Sequence, residues 1–102
     1  MTDLRRSDRM DETLRAAFAP EVLVIIDDSA RHAGHAGAGP AGETHYDVTI
    51  VSARFEGMSR VARSRLVHEV LADEFTTGLH ALALALRTPD EARRLTAAGA
   101  GA

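Results

Sequence analysis

A chain of 102 residues is long enough for a single domain with one modest core. The absence of cysteine excludes a disulfide framework, a thiolate nucleophile and a cysteine-based zinc site. The net charge of −3 at pH 7 and the pI near 5.9 argue against a general nucleic-acid-binding protein, because such domains usually have a pI above about 9.

The sequence also lacks the patterns of a targeting or membrane-spanning segment. No run approaches the roughly 18 consecutive apolar residues of a membrane span. The N-terminal stretch MTDLRRSDRMDE is charged and has no apolar region of the kind found in signal peptides. We therefore expect a cytoplasmic protein that does not associate with membranes.

The N-terminal part of the chain predicts an amphipathic helix. Ser7 or Asp8 can cap it, because their side-chain oxygens accept from the unpaired N–H groups of a first turn. Pro20 ends it. Its apolar stripe at helical spacing consists of Met10, Leu14, Ala17 and Phe18.

Two strands are predicted on either side of a Gly- and Ala-rich stretch. The run VLVIIDD, residues 22–28, is too short for a helix and rich in β-branched residues, so it predicts a buried strand. The run THYDVTIVS, residues 44–52, alternates in polarity and predicts a half-buried strand. Its core face would consist of Tyr46, Val48 and Ile50.

The second half of the chain predicts helix, strand and helix. Ser59 can cap a helix that continues to about Phe75. The run LHALALAL, residues 79–86, alternates with period two and predicts a third strand. Thr88 and Glu91 have the spacing of a capping box for a last helix. The core stripe expected for the second helix consists of Val61, Leu66, Val67, Val70, Leu71 and Phe75.

These elements give the order α-β-β-α-β-α and an α+β fold. The first two strands pair most simply as antiparallel neighbours, whereas the second and third are joined through a helix, which favours a right-handed parallel crossover. We therefore expect a mixed three-stranded sheet with the helices on one face. Residues 1–96 would form the single domain, and residues 97–102 (AAGAGA) a disordered tail.

This topology would gather histidines at one end of the molecule. His45 and His80 start neighbouring parallel strands, and the stretch between the first two strands carries His32 and His35 to the same edge. Several neutral imidazoles together suit Zn, Cu, Fe or Ni. The alternative is a solvated connection whose histidines have no function, with His80 hydrogen-bonded to backbone.

A second candidate site consists of arginines at the start of the second helix. Arg60, Arg63 and Arg65 follow Gly57, where a phosphate could meet the N–H groups of a helix end. The alternative is a solvated basic face. Because no catalytic triad, P-loop or paired-carboxylate pattern is present, we do not expect an enzyme.

Taken together, the motifs resemble those of the BolA family over nearly the whole chain, from about Leu4 to Leu95. The residues that carry the resemblance are DDS with the following RH, ETHY-V-IVS, F-G-SR--RSRLV, L-DE and GLHALAL-L-TP-E. The last of these is highly specific in combination. The stretch HAGHAG is similar to the histidine-type subgroup, as opposed to members that have a cysteine there.

The resemblance implies a fold similar to the class II KH domain and a partnership with monothiol glutaredoxins of the CGFS type. In such complexes a [2Fe–2S] cluster is bridged: the glutaredoxin cysteine and glutathione supply thiolates, and the BolA protein supplies nitrogen ligands. The family's C-terminal histidine corresponds to His80, and its loop ligand corresponds best to His32, with His35 as the rival. The isolated protein would then hold no stable iron, since it contributes only half of the site.

Two departures from the family pattern affect a role in nucleic-acid binding. The family usually has Arg-His-Arg where this chain has Arg63-Ser64-Arg65. A nucleic-acid-binding KH domain has Gly-x-x-Gly, whereas this chain has Gly57-Met58-Ser59-Arg60.

The sequence thus predicts a non-enzymatic iron–sulfur adaptor in cluster trafficking or iron sensing. The alternative is a DNA-binding transcriptional regulator with weak contacts through Arg60, Arg63 and Arg65. A third possibility is a protein-interaction module without metal.

Overall fold

The computed structural model describes residues 5–29 and 44–100, the last four of these as backbone only. The helices and strands follow the predicted order, except that the second helix is divided in two. In chain order the elements are α1 (Arg6–Phe18), β1 (Val22–Asp27), β2 (His45–Val51), α2 (Arg60–Val70), α3 (Ala72–Thr76), β3 (Ala81–Arg87) and α4 (Pro89–Ala100). Within the described ranges, no helix is both long and apolar enough to cross a bilayer.

The sheet has the predicted topology. Its strand order is β1-β2-β3, with β1 antiparallel to β2 and β2 parallel to β3. In the parallel pair His45 lies opposite Ala81, so the amino ends of β2 and β3 meet at one edge of the sheet. This register places the residue before β3, His80, beside the first residue of β2.

The core lies on one face of the sheet, as expected. Tyr46, Val48 and Ile50 are buried there against α1 and α2. The α1 residues in this core are Met10, Leu14 and Phe18. Their four-residue spacing places them on one side of the helix.

The opposite face of the sheet is open, which corrects the prediction that the first strand is buried. Val22, Val24 and Ile26 are 44%, 43% and 54% exposed, whereas Leu23 and Ile25 pack against the core. Because the helices pack on one face only, alternate side chains of β1 face away from the core even though they are apolar. A run of β-branched residues predicts a strand but does not show how many of its faces are covered.

The start of α1 differs from the prediction. The helix begins at Arg6 with Arg5 at the N-cap position, and no side chain caps it there. Ser7 and Asp8 therefore lie inside the first turn. The start is fixed instead by the Arg6 guanidinium, which is buried and donates to the Glu74 carbonyl and carboxylate at 3.1 and 2.7 Å.

The predicted second helix breaks at Leu71, which has φ −99° and ψ 15°. Ser59 caps α2 as expected, because its hydroxyl accepts from the Ala62 N–H at 3.1 Å. Val61 was wrongly placed in the core stripe and is 60% exposed. It lies two residues before the buried Arg63, and a two-residue step of about 200° points to the opposite side of a helix.

The last helix starts with the predicted capping box. The Thr88 N–H donates to the Glu91 carboxylate at 2.8 Å, and the Glu91 N–H donates to the Thr88 hydroxyl at 3.2 Å. The helix runs to Ala100, so it includes residues 97–100, which were assigned to a disordered tail. Alanine has the highest helix propensity, which favours this extension of the helix beyond residue 96.

Replacing Thr88 with alanine should lower the free energy of unfolding by about 1 kcal/mol, because the first turn of α4 loses its cap. Urea denaturation measures this difference. Thr96→Ala is the matched control: its exposed hydroxyl bonds within the same helix, and its removal should change stability by less than about 0.5 kcal/mol. Equal stability of the Thr88 variant and the parent would show that the cap contributes nothing.

Candidate functional site

His45 and His80 meet at the edge of the sheet where β2 and β3 begin. The backbone N–H groups of His80 and Ala81 both donate to the Thr44 carbonyl, at 2.8 and 3.2 Å. The two imidazole rings lie edge to face, with their centroids 5.8 Å apart and an interplanar angle of 74°. The predicted convergence is confirmed for this pair. His32 and His35 lie outside the described residues.

A small polar network holds the start of β2, and the sequence analysis missed it. The Ser29 hydroxyl accepts from the backbone N–H groups of Thr44 and His45, at 2.9 and 3.1 Å. The Thr44 hydroxyl donates to Ser29 Oγ at 3.3 Å and lies 2.9 Å from His45 Nδ1. Ser29 and Thr44 are both buried. The sequence contained one signal for this network, because Ser29 and Thr44 are hydroxyl residues at the ends of two predicted strands.

The pair offers two imidazole nitrogens to a metal, and further ligands would have to come from elsewhere. No group of three or more His, Asp or Glu side chains that could hold a metal occurs among residues 5–29 and 44–100. His80 is exposed and His45 is half-buried, so the edge is accessible to a partner. Two imidazoles alone would leave a four-coordinate metal with open positions.

Arg63, which the sequence analysis assigned to a nucleic-acid surface, also has a structural role within the fold. Its side chain is buried and donates to both carboxylate oxygens of Glu91, at 2.6 and 3.2 Å. It also donates to the carbonyls of Met58 and Leu86, at 3.0 and 3.2 Å. These bonds connect α2, β3 and α4. The sequence could not show that its partner lies 28 residues further along the chain.

The Arg63–Glu91 contact keeps the carboxylate charged. The hydrogen bond from Arg63, followed by that from the Thr88 backbone, lowers the pKa of Glu91 to about 2. Glu91 is thus shared by the capping box of α4 and the Arg63 guanidinium.

Near Arg63 lies a groove of about 580 Å³ between α2, β3 and α4. Its apolar lining includes Leu82 and Leu84. Its charged lining consists of Arg60, Arg63, Arg87, Arg94 and Glu91. Four arginines against one glutamate make the groove basic in a chain whose net charge is −3. Arg65 is exposed but does not line it, so the three arginines of the predicted patch do not form one surface.

Comparison with known proteins agrees with the fold. The profile of the family described as BolA-like protein matches residues 14–91. The chain belongs to the BolA family. This stretch contains β2 and β3, and therefore both His45 and His80.

Relatives in plants and yeast are similar over most of this BolA-family chain. It is 50% identical over 88 residues to the chloroplastic protein BOLA1 of Arabidopsis thaliana, covering 84% of this chain and 55% of that protein. It is 46% identical over 90 residues to the UV-induced protein uvi31 of Schizosaccharomyces pombe, covering 84% of this chain and 88% of uvi31.

Solved structures give the same fold. The structure of BolA1 from Arabidopsis thaliana has a TM-score of 0.77 and 45% sequence identity, covering 87% of this chain and 98% of that structure. The BolA domain of SufE1 from the same plant has a TM-score of 0.78 at 41% identity, covering 88% and 99%. The chain spans only 24% of the full SufE-like protein 1, where a BolA domain is one part of a longer protein.

Proposed function

We propose that this BolA-family protein is a non-enzymatic iron–sulfur adaptor. It binds a monothiol glutaredoxin of the CGFS type and provides histidine ligands to a [2Fe–2S] cluster that bridges the two proteins. Glutaredoxin and glutathione supply the thiolates. When the cluster is bound, its imidazole ligands would raise its reduction potential above that of a cluster with thiolate ligands only.

The observation that carries this proposal is the position of His80. His80 lies one residue before β3, and its backbone N–H donates at 2.8 Å to the carbonyl of Thr44, the residue before β2. It is exposed, so a partner can approach it. A chain without cysteine can contribute only part of an iron–sulfur site, which fits a ligand at an open edge better than a closed metal centre.

The second ligand on the family pattern is His32, with His35 as the rival, and both lie outside the described residues. Trafficking of the cluster and sensing of iron remain alternative uses of the same complex.

To test the proposal, this protein is added in steps to a CGFS glutaredoxin that has been reconstituted with its cluster and glutathione. Visible circular dichroism should change and saturate at one protein per glutaredoxin, because the ligands of the iron change. A spectrum identical to that of the glutaredoxin alone throughout the titration would contradict the proposal. Such a result would favour the third possibility, a protein-interaction module without metal. The same titration with glutaredoxin that holds no cluster would test it.

The arginine-lined groove favours a second candidate, binding to DNA as a transcriptional regulator. Arg60 and Arg87 line this groove and make no ion pair with the residues that the structure describes. The net negative charge of the chain disfavours an extended basic surface for DNA phosphates.

We expect DNA binding to be weak and steeply dependent on salt, because the available contacts are electrostatic. Arg60→Gln should reduce the slope of log affinity against log salt by about 1, the contribution of one phosphate contact. Arg63→Gln should lower stability instead, since that side chain is engaged within the fold. Fluorescence anisotropy of a labelled duplex over a salt series measures these slopes. A sequence-specific Kd in the nanomolar range at physiological salt would promote the regulator above the adaptor.

A further inference from the structure

The start of β2 holds a second imidazole, which the family pattern of one loop ligand and one C-terminal ligand does not use. His45 lies opposite Ala81 in the parallel register, and its ring centroid is 5.8 Å from that of His80. Both residues are held by strand backbone, and the Thr44 carbonyl ties the two strand ends together. Their relative position is therefore set by the pairing of β2 with β3.

The hydroxyl of Thr44 lies within hydrogen-bond distance of one ring nitrogen of His45. Ser29 Oγ accepts the N–H groups of Thr44 and His45 and also the Thr44 hydroxyl. The Thr44 hydroxyl oxygen lies 2.9 Å from His45 Nδ1, and it can accept the proton of that nitrogen when the hydroxyl hydrogen is directed towards Ser29. In the tautomer that carries its proton on Nδ1, His45 would bind a metal through the lone pair of Nε2.

That arrangement is the usual one for a metal-binding histidine. Such a residue commonly donates its second ring N–H to a neighbouring oxygen, which fixes both the tautomer and the direction of the ring. Thr44 Oγ1, 2.9 Å from Nδ1, is positioned to give His45 this support when a metal binds. Thr44 in turn is buried and held by Ser29.

The separation of the rings also fits shared ligation. Two imidazoles bound tetrahedrally to one metal, with nitrogen–metal distances of about 2.0–2.1 Å, have ring centroids roughly 5 Å apart. The observed centroid separation of 5.8 Å is close to this value, and the exposed His80 side chain can turn to bring a ring nitrogen to the same metal.

We propose that His45 and His80 form a preorganised two-imidazole chelate, in which His45 binds the metal through Nε2. The pair would ligate a single iron of the cluster in the glutaredoxin complex, and this part of the inference rests on the proposed function. Paired histidines on one iron occur in Rieske centres. His32 and His35 would then not be required as ligands.

Zinc binding by the isolated protein tests the chelate without any partner. The reference is the double variant His32→Ala/His35→Ala, which removes the competing imidazoles. Isothermal titration calorimetry with Zn²⁺ should show binding to this reference. His45→Ala and His80→Ala, each made in it, should weaken binding at least about tenfold, the minimum effect of disturbing even a residue that orients a ligand.

Thr44→Val and His68→Ala complete the set. Thr44→Val keeps the shape of the side chain but removes the hydrogen bond to Nδ1, and it should weaken Zn²⁺ binding by about tenfold. His68→Ala should have no effect, because that ring lies on α2, stacked on Phe75. Long-range ¹H–¹⁵N spectra of the histidine rings should show that Zn²⁺ shifts Nε2 of His45 and that Nδ1 carries the proton in the zinc-bound form.

Loss of Zn²⁺ binding in the reference variant would overturn the inference, as would affinity that is unchanged by His45→Ala. The outcome is separable from that of the proposed function. If His45→Ala leaves both Zn²⁺ affinity and the glutaredoxin spectrum unchanged, the adaptor stands and the chelate fails. If Zn²⁺ binding follows His45 and His80 but no glutaredoxin complex forms, the chelate stands and the adaptor fails.

Discussion

His80→Ala should abolish the mixed cluster with glutaredoxin, so that the visible circular dichroism of the titrated sample stays that of the glutaredoxin alone. His80 is the proposed ligand that the strand backbone holds directly at the open edge. Glutaredoxin and glutathione supply only the thiolates, so an iron that loses this imidazole is left with an open coordination position. The complex should therefore not retain the cluster.

Two further variants make this experiment specific. His68→Ala removes another histidine, whose Nδ1 lies 2.8 Å from the Ser64 carbonyl within α2, and it should leave the spectrum unchanged. His80→Cys places a thiolate at the same position, so a cluster should form again, with an altered spectrum and a lower reduction potential. An unaltered complex in His80→Ala would remove His80 from the ligand set.

Stability measurements separate ligation from folding. The His80 side chain is exposed, and its structural hydrogen bond is made by the backbone, which alanine retains. Urea denaturation of His80→Ala should therefore differ from the parent by less than about 0.5 kcal/mol. A larger loss of stability would mean that the cluster is absent because the variant unfolds and not because a ligand is missing.

Local patterns in the sequence were sufficient to predict the sheet edge. Alternation along residues 44–52 and 79–86 indicated two strands, and the helix between them indicated a parallel crossover. Parallel strands begin at the same edge, which is why His45 and His80 were expected to meet and do meet. The register needed no information about distant side chains.

Features that depend on tertiary partners were not predictable in this way. Arg63 resembles any solvated arginine of a helix until Glu91 is placed beside it by the packing of α4. The exposure of Val22, Val24 and Ile26 depends on which face of the sheet the helices cover. Neither property has a local signature.

The contact between α1 and α3 also depends on residues that are far apart in the sequence, so it could not be predicted from local patterns. Glu74 is buried and accepts from Arg6 Nη1 at 2.7 Å and from Arg9 Nε and Nη2 at 3.1 and 2.9 Å. Arg6 also donates to Thr77 Oγ1 and to the Thr77 carbonyl, both at 2.9 Å. One carboxylate thus connects the first helix to the short helix before β3, and so supports the strand that follows His80.

Glu74→Ala should therefore lower the free energy of unfolding at pH 7 by about 3 kcal/mol, because it removes a buried carboxylate that accepts charged hydrogen bonds from both Arg6 and Arg9. The matched control is Asp11→Ala. Asp11 accepts from Arg15 at 2.8 Å on the exposed side of the same helix, and such surface pairs contribute less than about 1 kcal/mol. Urea denaturation of the two variants measures the difference.

The effect of Glu74 should also depend on pH in a defined direction. The hydrogen bond from Arg9 lowers the pKa of Glu74 below its usual value, and the charges of Arg9 and Arg6 act in the same direction, while burial opposes them. A group whose pKa is lower in the folded state contributes its full stability above the unfolded pKa, about 4.3 for glutamate, and loses it as the pH falls through the folded value. The gap between the parent and Glu74→Gln should consequently be constant from pH 7 to about pH 5 and shrink below pH 4. A gap that stays constant down to pH 2 would show that the charge of Glu74 does not stabilise the contact between α1 and α3.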